Sequence, residues 1–505
     1  MSGEATVLVA LARTLRDRGR TLEALEALAR ARDAMDDPSP LLPDISEVSL
    51  LAVHSFNAHR DAGELELARE YAAALVRLVP RNPEFLAAAL ECEKALGRWN
   101  EVAVYARSLL EVDPGSIAAR ATLAEICKVT GDAEGEIAHR MVLALSPANP
   151  LAPLVRLRDL HDVTSLILCR PLTPGSEAKA RRLLDAARAL RIEAEPGSEW
   201  EGWEKHYRLL LDAVDLDAVR ADTPAAADPG PVAFLGADGE ALDWRDLRRR
   251  ADELQAAAVF FAAADEAYVD LYGRWYGRSV LKFSDVPCLV VIHVIGGGAR
   301  LAEIAARVGV SDRRLVFAGD HFDAGAVTTA AYDAPPKGRA AKPLAHLQSV
   351  RFLRLGALLD QLERPVFVSD IDLLLQRGVA DLLDRHAGDD LVMNENEVSF
   401  NAGSRFTANL LLATPGPAAR RFTAFLAAYL DCALAGAEVT RWIDQLGLLL
   451  ARQHLLIHDP EAKVGGFDTM SDINNVMYPS YQPHPFRFLS LFHGFDMASL
   501  EGVLG

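Results

Sequence analysis

ERPVFVSDIDLLLQ, residues 363–376, is the stretch on which the reading of this chain turns. Pro365–Ser369 reads as a strand buried on both faces, and Asp370 and Asp372 follow it inside an otherwise apolar context. Two carboxylates at i and i+2 share a face in extended chain. Packed together without a counter-charge they repel and lose hydration. A hard divalent cation that also bridges to phosphate oxygens supplies that charge, and Mg²⁺ or Mn²⁺ is held by one or two carboxylates plus a diphosphate. The competing reading of a bare Asp-x-Asp is a pair of surface turn acids. The apolar flanks VFV and LLL weigh against it.

Outward from this segment, apolar runs suited to buried strands recur at AAVFFAAA (257–264), CLVVIHVI (288–295), RLVFAG (314–319) and PVFVSDIDLLL (365–375). Helical patterns lie between them, as in EAYVDLYGRWYGRSVL, ARLAEIAARVGV and PLAHLQSVRFLRLGALLDQL. Strand and helix in alternation predict an α/β domain with a sheet covered on both faces. Ligands of such sheets bind beyond the carboxyl ends of the strands. The Gly-, Ala- and Pro-rich stretch 319–343 carries no period and reads as a functional loop, with Lys342 and Lys337 as candidates to meet phosphate. GGGAR at 296–300 follows a strand but lacks the Gly-Lys-Ser/Thr ending of a P-loop.

The first 150 residues are different. Gly63, Gly97 and Gly131 stand 34 residues apart, with Pro80, Pro114 and Pro147 following at 17, 17 and 16. An earlier unit starts at Gly19, with about ten extra residues before the next. Glycine suits the tight turn between two helices, small residues such as Ala24 and Ala68 suit a close helix approach, and proline suits the exit. This pattern resembles the tetratricopeptide repeat. Val102 and Glu136 depart from it at the small-residue position. Such arrays usually hold a protein or peptide partner in a concave groove. The expected organisation is therefore an all-α helical-repeat domain at 1–150, capping helices at 151–222, a linker at 223–231 within ADTPAAADPGP, and an α/β domain at 232–505.

The bulk numbers narrow the function classes. A net charge of −18 argues against non-specific attraction to nucleic acid. Five scattered cysteines without a CxxC pair argue against a disulfide framework or a structural zinc. The N-terminus lacks the basic n-region of a signal peptide, and no apolar run approaches the length of a membrane span. The expected compartment is the cytoplasm.

Taken in order, several segments of the C-terminal half resemble the GT-A nucleotide-diphospho-sugar transferases, the group that includes glycogenin-like enzymes. They are VFFAAADEAYVDLYGRWYGRSV, VVIHVIGG, SVRFLRLGALLDQLERPVFVSDID, RWIDQLGLLLA and FHGFD, and they cover roughly 255–495. The resemblance implies a GT-A domain with a Rossmann-like mixed sheet, and a hexosyltransferase that uses a nucleotide-diphosphate sugar with Mn²⁺ or Mg²⁺ and retains anomeric configuration. It implies that Asp370 contacts ribose or metal, that Asp372 ligates the metal, and that His493 is a third ligand. Arg354 aligns best with the diphosphate-contacting arginine, and Arg351, one turn earlier, is the substitute. Asp265 is implied to face the nucleotide; its other reading is a helix N-cap. Asp444 and Gln445 match a pair placed near the acceptor and the transferred sugar. The family's Phe-Asn-Ala-Gly element leaves two choices, Asn401 in FNAGS or Asn409 in FTAN. Two further readings remain at this point: a Mg-dependent nucleotidyltransferase, and a non-catalytic repeat scaffold with a degenerate transferase domain.

Overall fold

The computed structural model describes all residues except 1–2, 147–151, 193–203, 205–206, 209–210, 212–230, 328–342, 397–398, 400, 436–441, 475–477, 483–484 and 492–494. The chain divides into two compact units, Met1–Leu151 and Ala152–Gly505.

The first unit is a run of helical hairpins. Helices α1 (Gly3–Asp17), α3 (Leu42–Asp61), α5 (Pro83–Ala95) and α7 (Ile117–Thr130) are each followed by a partner, α2 (Thr21–Asp33), α4 (Leu65–Leu78), α6 (Trp99–Val112) and α8 (Ala133–Leu145). Gly19, Gly63, Gly97 and Gly131 make the four turns, with φ of +74°, +77°, +70° and +74°. That left-handed backbone is why the period falls on glycine. Ala24, Ala68 and Val102 are wholly buried at the close-approach position. Glu136, at the same place in the fourth pair, is buried too, and it accepts from Arg140 Nε at 2.7 Å. Pro83 opens α5 behind the Asn82 cap, whose side chain accepts from the Glu84 and Phe85 amides.

The second unit opens with α9 (Pro153–Leu168) and α10 (Pro174–Ala189). These helices, expected as caps on the repeats, group with the α/β unit. The Gln453 amide donates at 2.7 Å to the carbonyls of both Leu168 and Arg170. Of the expected linker only Pro231 is described.

The strands are β1 (Ala233–Gly236), β2 (Ala241–Leu242), β3 (Ala258–Asp265), β4 (Cys288–Ile295), β5 (Leu315–Gly319), β6 (Val366–Ser369), β7 (Leu373–Leu375), β8 (Leu391–Glu395), β9 (Phe406–Ala413), β10 (Val464–Gly466), β11 (Ile473–Asn474) and β12 (Phe488–Ser490). Nine form one sheet in the order β10-β8-β9-β6-β3-β4-β5-β1-β2, and three form a second, β11-β12-β7. Around them lie α11 (Trp244–Glu253), α12 (Arg274–Phe283), α13 (Leu301–Val308), α14 (Leu344–Leu362), α15 (Ala380–Arg385), α16 (Pro417–Leu434) and α17 (Ile443–His458). The centre, β6-β3-β4-β5, is parallel, while β9 runs antiparallel to β6 and β8. Every residue of β4 is buried, as a parallel strand covered on both faces requires.

One expectation is corrected here. The run 365–375 is two strands in different sheets, not one. At Asp370 the chain turns, closed by the Leu373 amide on the Asp370 carbonyl at 3.2 Å, and β7 then pairs with β12. The two acids therefore share a turn rather than the face of an extended strand.

Candidate functional site

Parallel pairing aligns Ala262 of β3 with Ser369 of β6, so Asp265 and Asp370 both emerge at the carboxyl edge of the sheet. A cavity of about 190 Å³ lies there, and its lining includes Asp265, Tyr268, Gln348, Arg351, Asp370 and Asp372. The turn that carries the acids is anchored from below. The Asp370 amide donates to the Asn409 carbonyl at 3.0 Å, and the Tyr276 hydroxyl shares a 3.0 Å hydrogen bond with Ser369. Beyond Asp265 the chain makes a short helical turn and then a π-helical segment, Val269–Gly273. Such segments are frequent at functional sites.

Arg351 is the centre of charge. It is 4% exposed, donates from Nη1 to Asp370, and lies 3.3 Å from the Asp444 carboxylate through Nη2. Burial pushes the Asp444 carboxyl up, with Arg351 pulling the other way. Asp372 is pushed up to about 7, first by burial and then by the charge of Asp370. Two neighbouring carboxylates lining one cavity are an oxygen donor set suited to a small hard cation. Among the described residues no group of three His, Cys, Asp or Glu side chains converges on a metal position.

Sequence-predicted residues divide into three groups. Asp265, Arg351, Asp370, Asp372 and Asp444 are brought together. Asp265 also caps the turn that follows it, accepting from the Tyr268 amide at 2.8 Å, and it lines the cavity. Gln445 faces the loop before β9, and its amide, oriented to satisfy both partners, donates to the carbonyls of Gly403 at 2.7 Å and Phe406 at 3.1 Å. Of the two asparagines, Asn409 is buried beside the acids and accepts from Asn394 at 2.8 Å. Asn401 is exposed and shapes its own loop through the Gly403 amide at 2.9 Å, so it does not reach the cavity lining. Arg354, the favoured arginine, is turned away to Asp320, and the substitute Arg351 occupies the site. His493, Lys342 and Lys337 lie outside the described residues.

Sequence reasoning missed one buried cluster. Asp320, just past β5, accepts from His293 Nε2 at 2.8 Å, the Gly296 amide at 2.7 Å, the Phe322 amide at 3.2 Å and Arg354 at 3.2 Å. Burial alone would raise its carboxyl; the hydrogen bond and charge of His293 and the two amides outweigh that and hold it far below the usual range. The same burial lowers His293. The available signal was the lone histidine inside VVIHVI, because a polar ring in a fully buried strand needs a partner.

The repeat unit holds a separate groove of about 540 Å³, lined in part by Val53, Phe56, Asn57, Arg60, Phe85 and Cys92. Among the described residues no helix is long and apolar enough to cross a membrane.

No family model matches the chain, and no curated protein matches it. Among solved structures it is similar to a mutant of Thermobaculum terrenum O-GlcNAc transferase, at 14% identity over 53% of this chain and 41% of that one, with a TM-score of 0.21. It is similar to a tetratricopeptide repeat protein from Parabacteroides merdae at 15% identity, over 41% of this chain and 90% of that one, with a TM-score of 0.20. A third is mouse xyloside xylosyltransferase 1 in its apo form, at 10% identity over 45% and 88%, with a TM-score of 0.26. The chain thus spans less than half the length of the first of these.

Proposed function

We propose that the second unit is a glycosyltransferase that takes its sugar from a nucleoside-diphosphate donor, and that the repeats hold a protein or peptide partner. The observation that carries the first part is the meeting of Asp370, Asp372 and Arg351 in one cavity at the carboxyl edge of β3 and β6. Asp265 and Tyr268 lie at the nucleotide end. Asp370 and Asp372 would hold a divalent cation, Mn²⁺ or Mg²⁺, which would supply positive charge to neutralise the leaving diphosphate. Arg351 lends a second positive charge to the same phosphates, and its Nε has no partner among the described residues. Asp444, fixed by Arg351, orients the sugar or the incoming acceptor. The bond from the anomeric carbon to the diphosphate breaks, and the bond to the acceptor nucleophile forms on that carbon. The groove between the repeats is the surface offered to a partner.

A thermal-shift panel of nucleotide sugars with and without Mn²⁺ tests this reading. Ligand that binds only the folded state raises the melting temperature by mass action. A shift that requires both nucleotide sugar and Mn²⁺, and that disappears in Asp372→Ala, is the expected result. An equal shift in the variant, or none with any donor, overturns the assignment.

A further inference from the structure

Arg351 is the only basic side chain among the described residues that line the cavity, and its guanidinium is divided between two acids. Nη1 donates to Asp370, and Nη2 lies 3.3 Å from the Asp444 carboxylate. The two contacts differ in setting. The Asp444 side chain is 4% exposed, against 35% for Asp370, which lines the cavity. One arm of the fork therefore meets an acid sealed from solvent, and the other meets a carboxylate that a solute in the cavity reaches.

Breaking a buried ion pair is costly because it strands a charge, whereas a pair whose acid is open to water is worth little. The Arg351–Asp444 contact is accordingly the lasting one, and the Arg351–Asp370 contact is the one that exchanges. While it holds, Asp370 already has its counter-charge. A divalent cation drawn to Asp370 and Asp372 competes with Nη1 for the first of them. A diphosphate tips that balance, because its oxygens accept from the freed Nη1 and also meet the cation. Whatever the diphosphate adds to the affinity for the cation, the cation adds to the affinity for the diphosphate.

The geometry points to Arg351 as a resident counter-ion that holds Asp370 in the unliganded protein and yields it only when cation and diphosphate arrive together, so that the two bind as a coupled pair. Asp444 is the positioning residue that retains Arg351 through the exchange. This rests on the nucleotide-sugar reading above and adds to it how binding at that site is regulated.

The test uses the full-length protein. Mn²⁺ is titrated by calorimetry alone and then with saturating UDP, GDP, ADP or CDP, corrected for Mn²⁺ bound by free nucleotide. With the diphosphate that binds most tightly, wild type is expected to take Mn²⁺ roughly tenfold more tightly than without it. Arg351→Met with Asp444→Asn removes one charge of each sign, so the net charge of the site stays the same while Asp370 is set free. That double variant is expected to bind Mn²⁺ alone roughly fivefold more tightly than wild type, the upper size of an exposed ion pair, and to lose the coupling. If it does not fold, wild-type crystals soaked with Mn²⁺ and the diphosphate decide, and Arg351 is expected to have kept Asp444 and left Asp370. Independent binding of the two ligands by wild type, equal or weaker Mn²⁺ binding by the double variant, or an Arg351–Asp370 contact that persists in the soaked crystal overturns the inference and leaves the transferase reading standing. If none of the four diphosphates binds wild type with Mn²⁺, both fall together.

Discussion

Arg351 and Arg354 lie one turn apart on α14 and both are buried, yet they serve different acids. Arg351 bridges Asp370 and Asp444, while Arg354 joins Asp320. Counting residues back from Asp370 favoured Arg354, because a count carries no information on how the helix is rotated against the sheet. The passage from α14 to β6 runs through Glu363 in a left-handed conformation, φ +50°. The acids themselves were legible, since paired carboxylates at the end of an apolar run have few structural uses. Asn409 was not separable from Asn401, because its place depends on β9 pairing with β6 some forty residues earlier. The ion pair gives a sharp expectation. Arg351→Ala leaves Asp444, 2% exposed, without its counter-charge, and should cost about 3 kcal/mol of unfolding free energy. Replacing both partners, as Arg351→Met with Asp444→Asn, should recover most of that stability but none of the Mn²⁺-dependent ligand shift. Urea unfolding of the three variants measures the first part; a single-variant cost below about 1 kcal/mol would count against a buried, coupled pair.

At the level of elements, the helical pairs were legible because their period is local: each glycine turn and each small residue is fixed by neighbours in the same 34 residues. The division of 365–375 was not, because β7 finds its partner β12 more than a hundred residues later. The cluster on Asp320 was hidden for the same reason. It joins the ends of β4 and β5 to α14, three elements with no common sequence pattern. Its charge makes the junction sensitive to acid. The folded-state pKa of Asp320 is depressed, so its contribution is fully present above the unfolded value of about 4 and is lost as pH falls through the folded one. Unfolding free energy should therefore drop between pH 5 and pH 3, and the drop should be smaller in Asp320→Asn, which starts from a lower value at pH 5. Parallel slopes for variant and wild type in denaturant melts at the two pH values would show that Asp320 is not held ionised by these partners.

Among the described residues, the cores of the two units are of different kinds. Leu25, Leu28, Leu75 and Leu78 belong to a core of the repeat unit, while Phe260, Val290, Phe317 and Phe367 belong to the sheet unit. A repeat array is stabilised by each pair and its neighbours, whereas a sheet closed by non-local pairing melts as a block. Unfolding should consequently show two separable transitions, and each should answer to its own perturbation. Gly97→Ala is the clean probe of the first. A Cβ there meets no atom within 4 Å, so the only cost is holding alanine at φ +70°, about 1–2 kcal/mol. Nucleotide sugar with Mn²⁺ is the probe of the second, because the cavity is lined wholly by residues of the sheet unit. In differential scanning calorimetry the substitution should lower one transition by a few degrees and leave the other in place, and the ligand should raise only the transition that the substitution spares. A single transition moved by both would mean that the two units unfold as one cooperative block, and the proposed partner-binding and transfer roles would then be thermodynamically linked.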